Sequence, residues 1–261
     1  MPGGAYCLGE AVVLDGETRV PVLSRIASTT EHATPLSPQR LTFTVPTRDG
    51  AACVPSLTPS HALSVPPHLC EHDALLLPGD WTKAWVALMK RLNLQAHETV
   101  LIHEAHTTTG MLATLLAAET GAQVLALCDC AHAARRLIAL GAGEAATYAS
   151  AWPEIMREHG GADVVLDLAG GRHAGESTLC ARRHARIGVM DAATRDLFDE
   201  TQWRRFVSRQ LALIITDWSP LREAASASEA AQEFEAMTRT SAWDRFKSCR
   251  RESPIESLCD H

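Results

Sequence analysis

Apolar residues recur in a fixed order through the middle of the chain. Six short apolar runs lie at residues 98–103, 122–128, 145–148, 162–167, 185–190 and 211–216. Runs of this length, apolar at successive positions, suit strands buried on both faces. Between them the spacing predicts helices over residues 111–119, 131–140, 151–159, 173–183 and 199–209. Gly141 stands at a natural C-cap position, and Gly160-Gly161 stops the third helix. Strands alternating with amphipathic helices imply a parallel sheet covered on both faces.

Six such units in this length suit an α/β fold with a doubly wound parallel sheet, the Rossmann arrangement. The first 60 or so residues differ. They are rich in Pro, Thr and Ser, with short β-branched runs such as Ala11-Val12-Val13-Leu14 and Leu41-Thr42-Phe43-Thr44-Val45, broken often by turn residues. Short strands are expected there. The expected organisation is a reduced β-rich lobe over residues 1–79, a dinucleotide-binding domain over 80–217, and a C-terminal helix and tail over 218–261. Ser219-Pro220 breaks the alternation, a helix is expected over residues 221–237, and residues 250–261 read as a tail.

Composition narrows the classes. Hydrophobic residues make up 46% of the 261 and charged residues 21%, so a sizeable core is available. The net charge of −7 gives no broad attraction to nucleic acid or anionic lipid. No apolar run approaches the roughly 20 residues that span a bilayer. The N-terminus has no basic segment followed by an apolar stretch, so the cytoplasm is the expected compartment. None of the eight cysteines forms a C-x-x-C pair, and Cys128-Asp129-Cys130 is the one tight cluster. That pattern is expected of reduced thiols, without a disulfide framework or a structural zinc.

Several landmarks agree in order and spacing with one family. Leu77-Pro78 precedes Ala84-Trp85-Val86-Ala87-Leu88. The run from Glu98 to His103 reads Glu-Thr-Val-Leu-Ile-His. Ala139-Leu140-Gly141-Ala142 is followed by Tyr148, and Asp163-Val164-Val165-Leu166-Asp167 by Gly170-Gly171. In these the chain resembles the zinc-independent quinone-reductase and enoyl-reductase branch of the medium-chain dehydrogenase/reductases. The match covers a little over half the chain. The resemblance implies a GroES-like lobe ahead of the Rossmann domain and an NAD or NADP cofactor. It implies hydride transfer to an enone or quinone. Residues 49–55 and 63–67 resemble only the last strands of that lobe, and the portion that lines the substrate pocket is expected to be missing.

The departures bear on function. The family has Ala-Ala-Gly-Gly-Val-Gly after its first strand, whereas this chain has Ala105-His106-Thr107-Thr108-Thr109-Gly110. Glycines there permit a tight turn and close approach of backbone N–H groups to a pyrophosphate. Thr107, Thr108 and Thr109 either crowd that anion or donate hydroxyls to it. Asp129 ends the second strand, where a carboxylate accepts ribose hydroxyls and repels a 2′-phosphate; alternatively it caps the following helix. The NADPH-using relatives carry a basic residue where this chain has Ala133, and Arg135 and Arg136 follow. Tyr148 and Gly170 fall at family cofactor positions. Lys83 replaces a threonine near the expected nicotinamide-phosphate side, where it meets a phosphate or is simply solvated.

No Gly-His-Glu motif, four-cysteine lobe or Gly-x-Ser-x-Gly elbow is present, and His103 and His106 have no partner at ligand spacing. Metal catalysis is not expected, and no catalytic acid or base is named. Three functions follow in order. The first is an NAD(P)H-dependent reductase. The second is a degenerate relative acting as a dimeric binding protein through the edge strand from Leu211 to Thr216. The third is a redox-neutral cyclase on the same scaffold. The threonine run separates the first from the others.

Overall fold

The computed structural model describes residues 6–12, 19–25, 41–42, 45–46, 52–53, 56–57, 63–64, 68–69, 73, 76–190, 197–216 and 224–251. The chain forms two compact units, Met1–Thr82 with Ser219–Thr238, and Lys83–Trp218 with Arg239–His261. In the first unit β1 (Tyr6–Val12) pairs antiparallel with β2 (Arg19–Arg25). The short ladders are β3 (Leu41–Thr42) on β6 (Ser56–Leu57) and β4 (Val45–Pro46) on β5 (Ala52–Cys53). β7 (Leu63–Ser64) takes the other edge of β1.

The second unit holds the parallel sheet. Its strands are β8 (Thr99–Ile102), β9 (Gln123–Cys128), β10 (Glu144–Thr147), β11 (Ala162–Asp167), β12 (Ala181–Met190) and β13 (Ala212–Thr216). They lie in the order β10-β9-β8-β11-β12-β13, every pair parallel. β8 is therefore central, and Val100, Leu101 and Ile102 are completely buried, which is why its sequence is apolar at successive positions. The order in which successive strands are added reverses between β8 and β11. In such sheets ligands bind at the carboxyl ends of the strands beside that reversal.

The connecting helices are α1 (Thr108–Thr120), α2 (Ala131–Ala139), α3 (Trp152–Glu158), α4 (Ala174–Ser177) and α5 (Glu200–Ser208). α1 is apolar all round, and Met111, Leu112, Leu115 and Leu116 are buried. Such a helix must be covered on its outer face too. The cover is α7 (Ser241–Arg251), which packs on α1 and α2 and buries Trp243 and Phe246, their rings 4.9 Å apart. Sequence reading missed this helix, and its last turn includes Arg250 and Arg251, expected in the tail; residues 252–261 lie outside the described set. α6 (Ala224–Met237) belongs to the first unit. There the Trp81 indole N–H donates to the Ala230 carbonyl at 2.7 Å, and Trp81 packs against Phe234.

Two expectations need correction. The helix expected over 173–183 is the single turn α4, and β12 begins at Ala181, four residues before the expected start. Ala181 pairs with Ala162 and Arg186 with Val164, so three extra residues bulge from β12, with His184 at φ 66°. The charged side chains there bond across strand ends: Arg182 donates to Asp163 and to the Gly160 carbonyl, and Arg183 to Gln210. The second correction concerns α1, which starts at Thr108. Thr108, Thr109 and Gly110 therefore form its first turn and are not loop.

Among the described residues no helix is long and apolar enough to cross a membrane.

Candidate functional site

The carboxyl ends of β8, β9 and β11 gather most of the residues singled out above. The chain leaves β8 through His103, whose N–H donates to the Leu166 carbonyl on β11 at 2.9 Å. Ala105 N–H then donates to the Leu127 carbonyl on β9 at 2.9 Å. Glu104, between them, adopts φ 52°, in the left-handed region that a non-glycine residue rarely occupies. Its carbonyl accepts from Thr107 N–H at 3.1 Å and from the Thr107 hydroxyl at 2.8 Å.

Thr107 is the N-cap of α1, and its side-chain oxygen accepts from Gly110 N–H at 3.1 Å. Its backbone is extended, φ −68° and ψ 161°, so nothing in the turn demands glycine at this position. Gly110 is different. A Cβ there would stand 2.4 Å from the Glu104 carbonyl oxygen and 2.6 Å from Ala105 Cα. The first turn of α1 is thus pressed onto the end of β8, which leaves room for no side chain.

Behind this turn lies a buried polar network. The Ser177 hydroxyl donates to the His173 carbonyl at 2.8 Å, which leaves its oxygen to accept from His103 Nε2, also at 2.8 Å. His103 Nδ1 is then an acceptor and faces the Tyr148 hydroxyl at 3.4 Å, while Glu104 N–H donates to that hydroxyl at 2.9 Å. The rings of His103, Tyr148 and His173 stack nearly parallel, with centroids 4.4 to 6.0 Å apart. Burial, and next the charge of His173, hold the His103 pKa well below the ordinary imidazole value, so the ring is neutral. Burial pushes the Tyr148 phenol far up, and it stays an O–H donor. Burial also raises the Asp167 carboxyl, against the opposing bonds from Ala169 N–H at 2.7 Å and His173 N–H at 3.0 Å.

At the mouth of the site His106 Nε2 lies 3.5 Å from Glu104 and 3.9 Å from Asp129, and His106 Nδ1 is buried with no hydrogen-bond partner among the described residues. The Asp129 side chain is 62% exposed. It does not cap α2. The N-cap is Cys130, with no side-chain cap bond. Gly170 has φ 67° in the turn that leaves β11. The structure therefore brings Thr107, Thr108, Thr109, Gly110, Asp129, Tyr148 and Gly170 to one edge of the sheet. Lys83 is half-buried in the helical turn Thr82–Trp85.

Glu104 and His173 escaped the sequence reading, and His106 was read there as unpartnered. His173 and Ser177 lie 69 and 74 positions from their partners Glu104 and His103, so no spacing pattern announces them.

The thiols of Cys128 and Cys180 are buried, and burial pushes their pKa values up to about 11 and about 12. Among the described residues no three His, Cys, Asp or Glu side chains are placed to hold a metal ion.

No family model matches the chain. It is 31% identical over 173 residues to azaB, a highly reducing polyketide synthase of Aspergillus niger, across 62% of this chain and 7% of the synthase. It is 25% identical over 152 residues to highly reducing polyketide synthase 40 of Fusarium pseudograminearum, across 56% and 6%. Among solved structures it superposes on the quinone oxidoreductase of Thermus thermophilus with a TM-score of 0.60 and 29% identity, covering 69% of this chain and 58% of that one. The chain resembles the quinone-oxidoreductase branch of the medium-chain dehydrogenase/reductases. The Escherichia coli quinone oxidoreductase complexed with NADPH has the same fold, with a TM-score of 0.62 at 18% identity over 72% of this chain and 60% of that one. The chain thus spans a small part of the two synthases and somewhat over half of the oxidoreductases.

Proposed function

We propose that the chain binds a nicotinamide dinucleotide across the carboxyl ends of β8, β9 and β11 and acts as an NAD(P)H-dependent reductase of an enone or quinone. The observation that carries this is the seating of α1: Gly110 lies against the end of β8, so the helix N-terminus opens at the sheet reversal, where a pyrophosphate is favoured. The residues present fit such a ligand. Thr108, at the first helical position, offers its N–H and hydroxyl to the pyrophosphate. Asp129 is exposed to accept ribose hydroxyls, and the orphaned His106 Nδ1 adds a polar atom at the same mouth. The bound nicotinamide supplies a hydride to the β-carbon of an enone, or to a quinone; the protein binds and orients. Thr107 spends its hydroxyl on Gly110 and Glu104, so the binding is weaker than a glycine loop would give. Asp129 together with Ala133 favours NADH over NADPH. The Thermus structure, 29% identical, was solved with NADPH, and a preference for NADPH here would count against the role given to Asp129.

We also infer a homodimer through β13. This strand is the sheet edge, Ile215 on it is 55% exposed, and the neighbouring α5 exposes Trp203 and Val207. An apolar edge strand is a template for a second copy. The cysteine spacing fits a reaction without zinc, and the cytoplasm remains the compartment inferred.

The test of activity is loss of nicotinamide absorbance when the chain is mixed with NADH and either a simple quinone or an enoyl thioester. Turnover that falls on Asp129→Ala supports the assignment. No turnover with either acceptor class, with NADH and NADPH both tried, refutes it and favours the redox-neutral alternative.

A further inference from the structure

A cavity of about 600 Å³ opens between α2 and α7. His132, Arg135, Arg136 and Ala139 line it from α2, and Ser241, Asp244, Arg245 and Ser248 from α7. Arg136 is the unusual member. It is 8% exposed, and among the described residues its Nη2 meets only the Met111 sulfur, at 3.1 Å, and its buried Nε has no hydrogen-bond partner. Among the described residues no carboxylate lies within ion-pair distance of it. A guanidinium never loses its proton at physiological pH, so burying it without an anion is costly. The rim does not supply that anion. Asp244 is paired with Lys247 at 2.9 Å, while Arg245, bonded to Glu119 at 2.8 Å, and the exposed Arg135 add positive charge.

We propose that this cavity is a second ligand site, which takes a phosphate-bearing small molecule with Arg136 as its buried anchor. The volume lies within the range of small-molecule pockets. Guanidinium groups present paired N–H donors to phosphate oxygens, and the Ser241 and Ser248 hydroxyls add neutral donors on the α7 side. The ligand neutralises a charge that no described side chain neutralises. None of the lining residues is one assigned to the dinucleotide, so the proposal does not depend on that assignment.

Isothermal titration of inorganic phosphate into the full chain, at constant ionic strength, tests this. The expected result is one saturable site per chain, lost in Arg136→Met. That substitution also keeps or raises the melting temperature without phosphate, because methionine fills the space without a buried charge. The double variant Arg135→Gln/Arg245→Gln alters the more accessible rim and serves should Arg136→Met fail to fold. It is expected to weaken phosphate by about tenfold. The absence of saturable binding overturns the proposal, as does binding that survives both variants. Loss on Thr108→Val with retention in Arg136→Met places the ion at the α1 N-terminus and overturns it equally. Tighter binding of malonate than of phosphate overturns the assignment of ligand class.

Discussion

Replacing Gly110 by alanine tests the seating of α1 on β8. The added Cβ would lie 2.4 Å from the Glu104 carbonyl oxygen, 2.6 Å from Ala105 Cα and 2.8 Å from Ala105 C. All three are backbone atoms, so no side chain can swing aside. Restoring ordinary contact requires a shift of about half an ångström or more, and over-packing of this kind costs about 1–3 kcal/mol. Alanine recovers about 0.5–1 kcal/mol of helix propensity relative to glycine. The net expectation is destabilisation by about 1–2 kcal/mol. Gly79 supplies the control, since a Cβ there meets nothing within 4 Å, and Gly79→Ala is expected to be neutral or stabilising. Urea unfolding followed by far-ultraviolet circular dichroism measures both. The shift also moves the Thr108 N–H off the strand end, so dinucleotide binding by the folded variant is expected to weaken about tenfold or more. A Gly110→Ala protein as stable as wild type or more so refutes the close seating.

Three further outcomes follow from the same geometry. Thr107→Gly frees Gly110 N–H from its cap at a cost of a few tenths of a kcal/mol, so binding measured by calorimetry is expected to tighten; weaker binding indicates that the Thr107 hydroxyl itself holds the ligand. Tyr148→Phe deprives Glu104 N–H of its acceptor and is expected to cost about 1–2 kcal/mol in urea unfolding; an unchanged midpoint excludes that role. Burial raises the Glu98 carboxyl, but the bonds from Arg186 at 2.6 Å and Gln95 N–H at 2.9 Å outweigh it, and its pKa is lowered from 4.5. The stability this group brings is therefore present above 4.5 and lost as pH falls through the lowered folded value. Glu98→Gln should flatten the acid limb of the stability profile, and an identical acid limb contradicts this.

The alternation of strands and helices was legible because β8, β9 and β11 are buried on both faces and show it as unbroken apolar runs. β12 was not legible in full. Its first residues, Ala181-Arg182-Arg183-His184, carry charges that pair across strand ends, and those partners are invisible in a linear pattern. α7 was missed because its sequence is mostly polar. What predicts it is the all-round apolar surface of α1, which no surface helix could leave uncovered. At the site, Gly110, Tyr148 and Gly170 stood out because they match residues of the family, and Asp129 because it ends the second strand. Glu104, His106 and His173 did not, since their roles arise only when distant strand ends are brought together. Threonine stands at Thr107 where the family has glycine, and there the backbone is extended and the hydroxyl caps the helix.

Calorimetric titration of the full chain with NADH and with NADPH tests the central claim most directly. The account predicts saturable, weak binding of NADH at one site per chain, tighter than NADPH and reduced by Asp129→Ala. Heats of dilution alone for both dinucleotides, from protein shown to be folded, would contradict it.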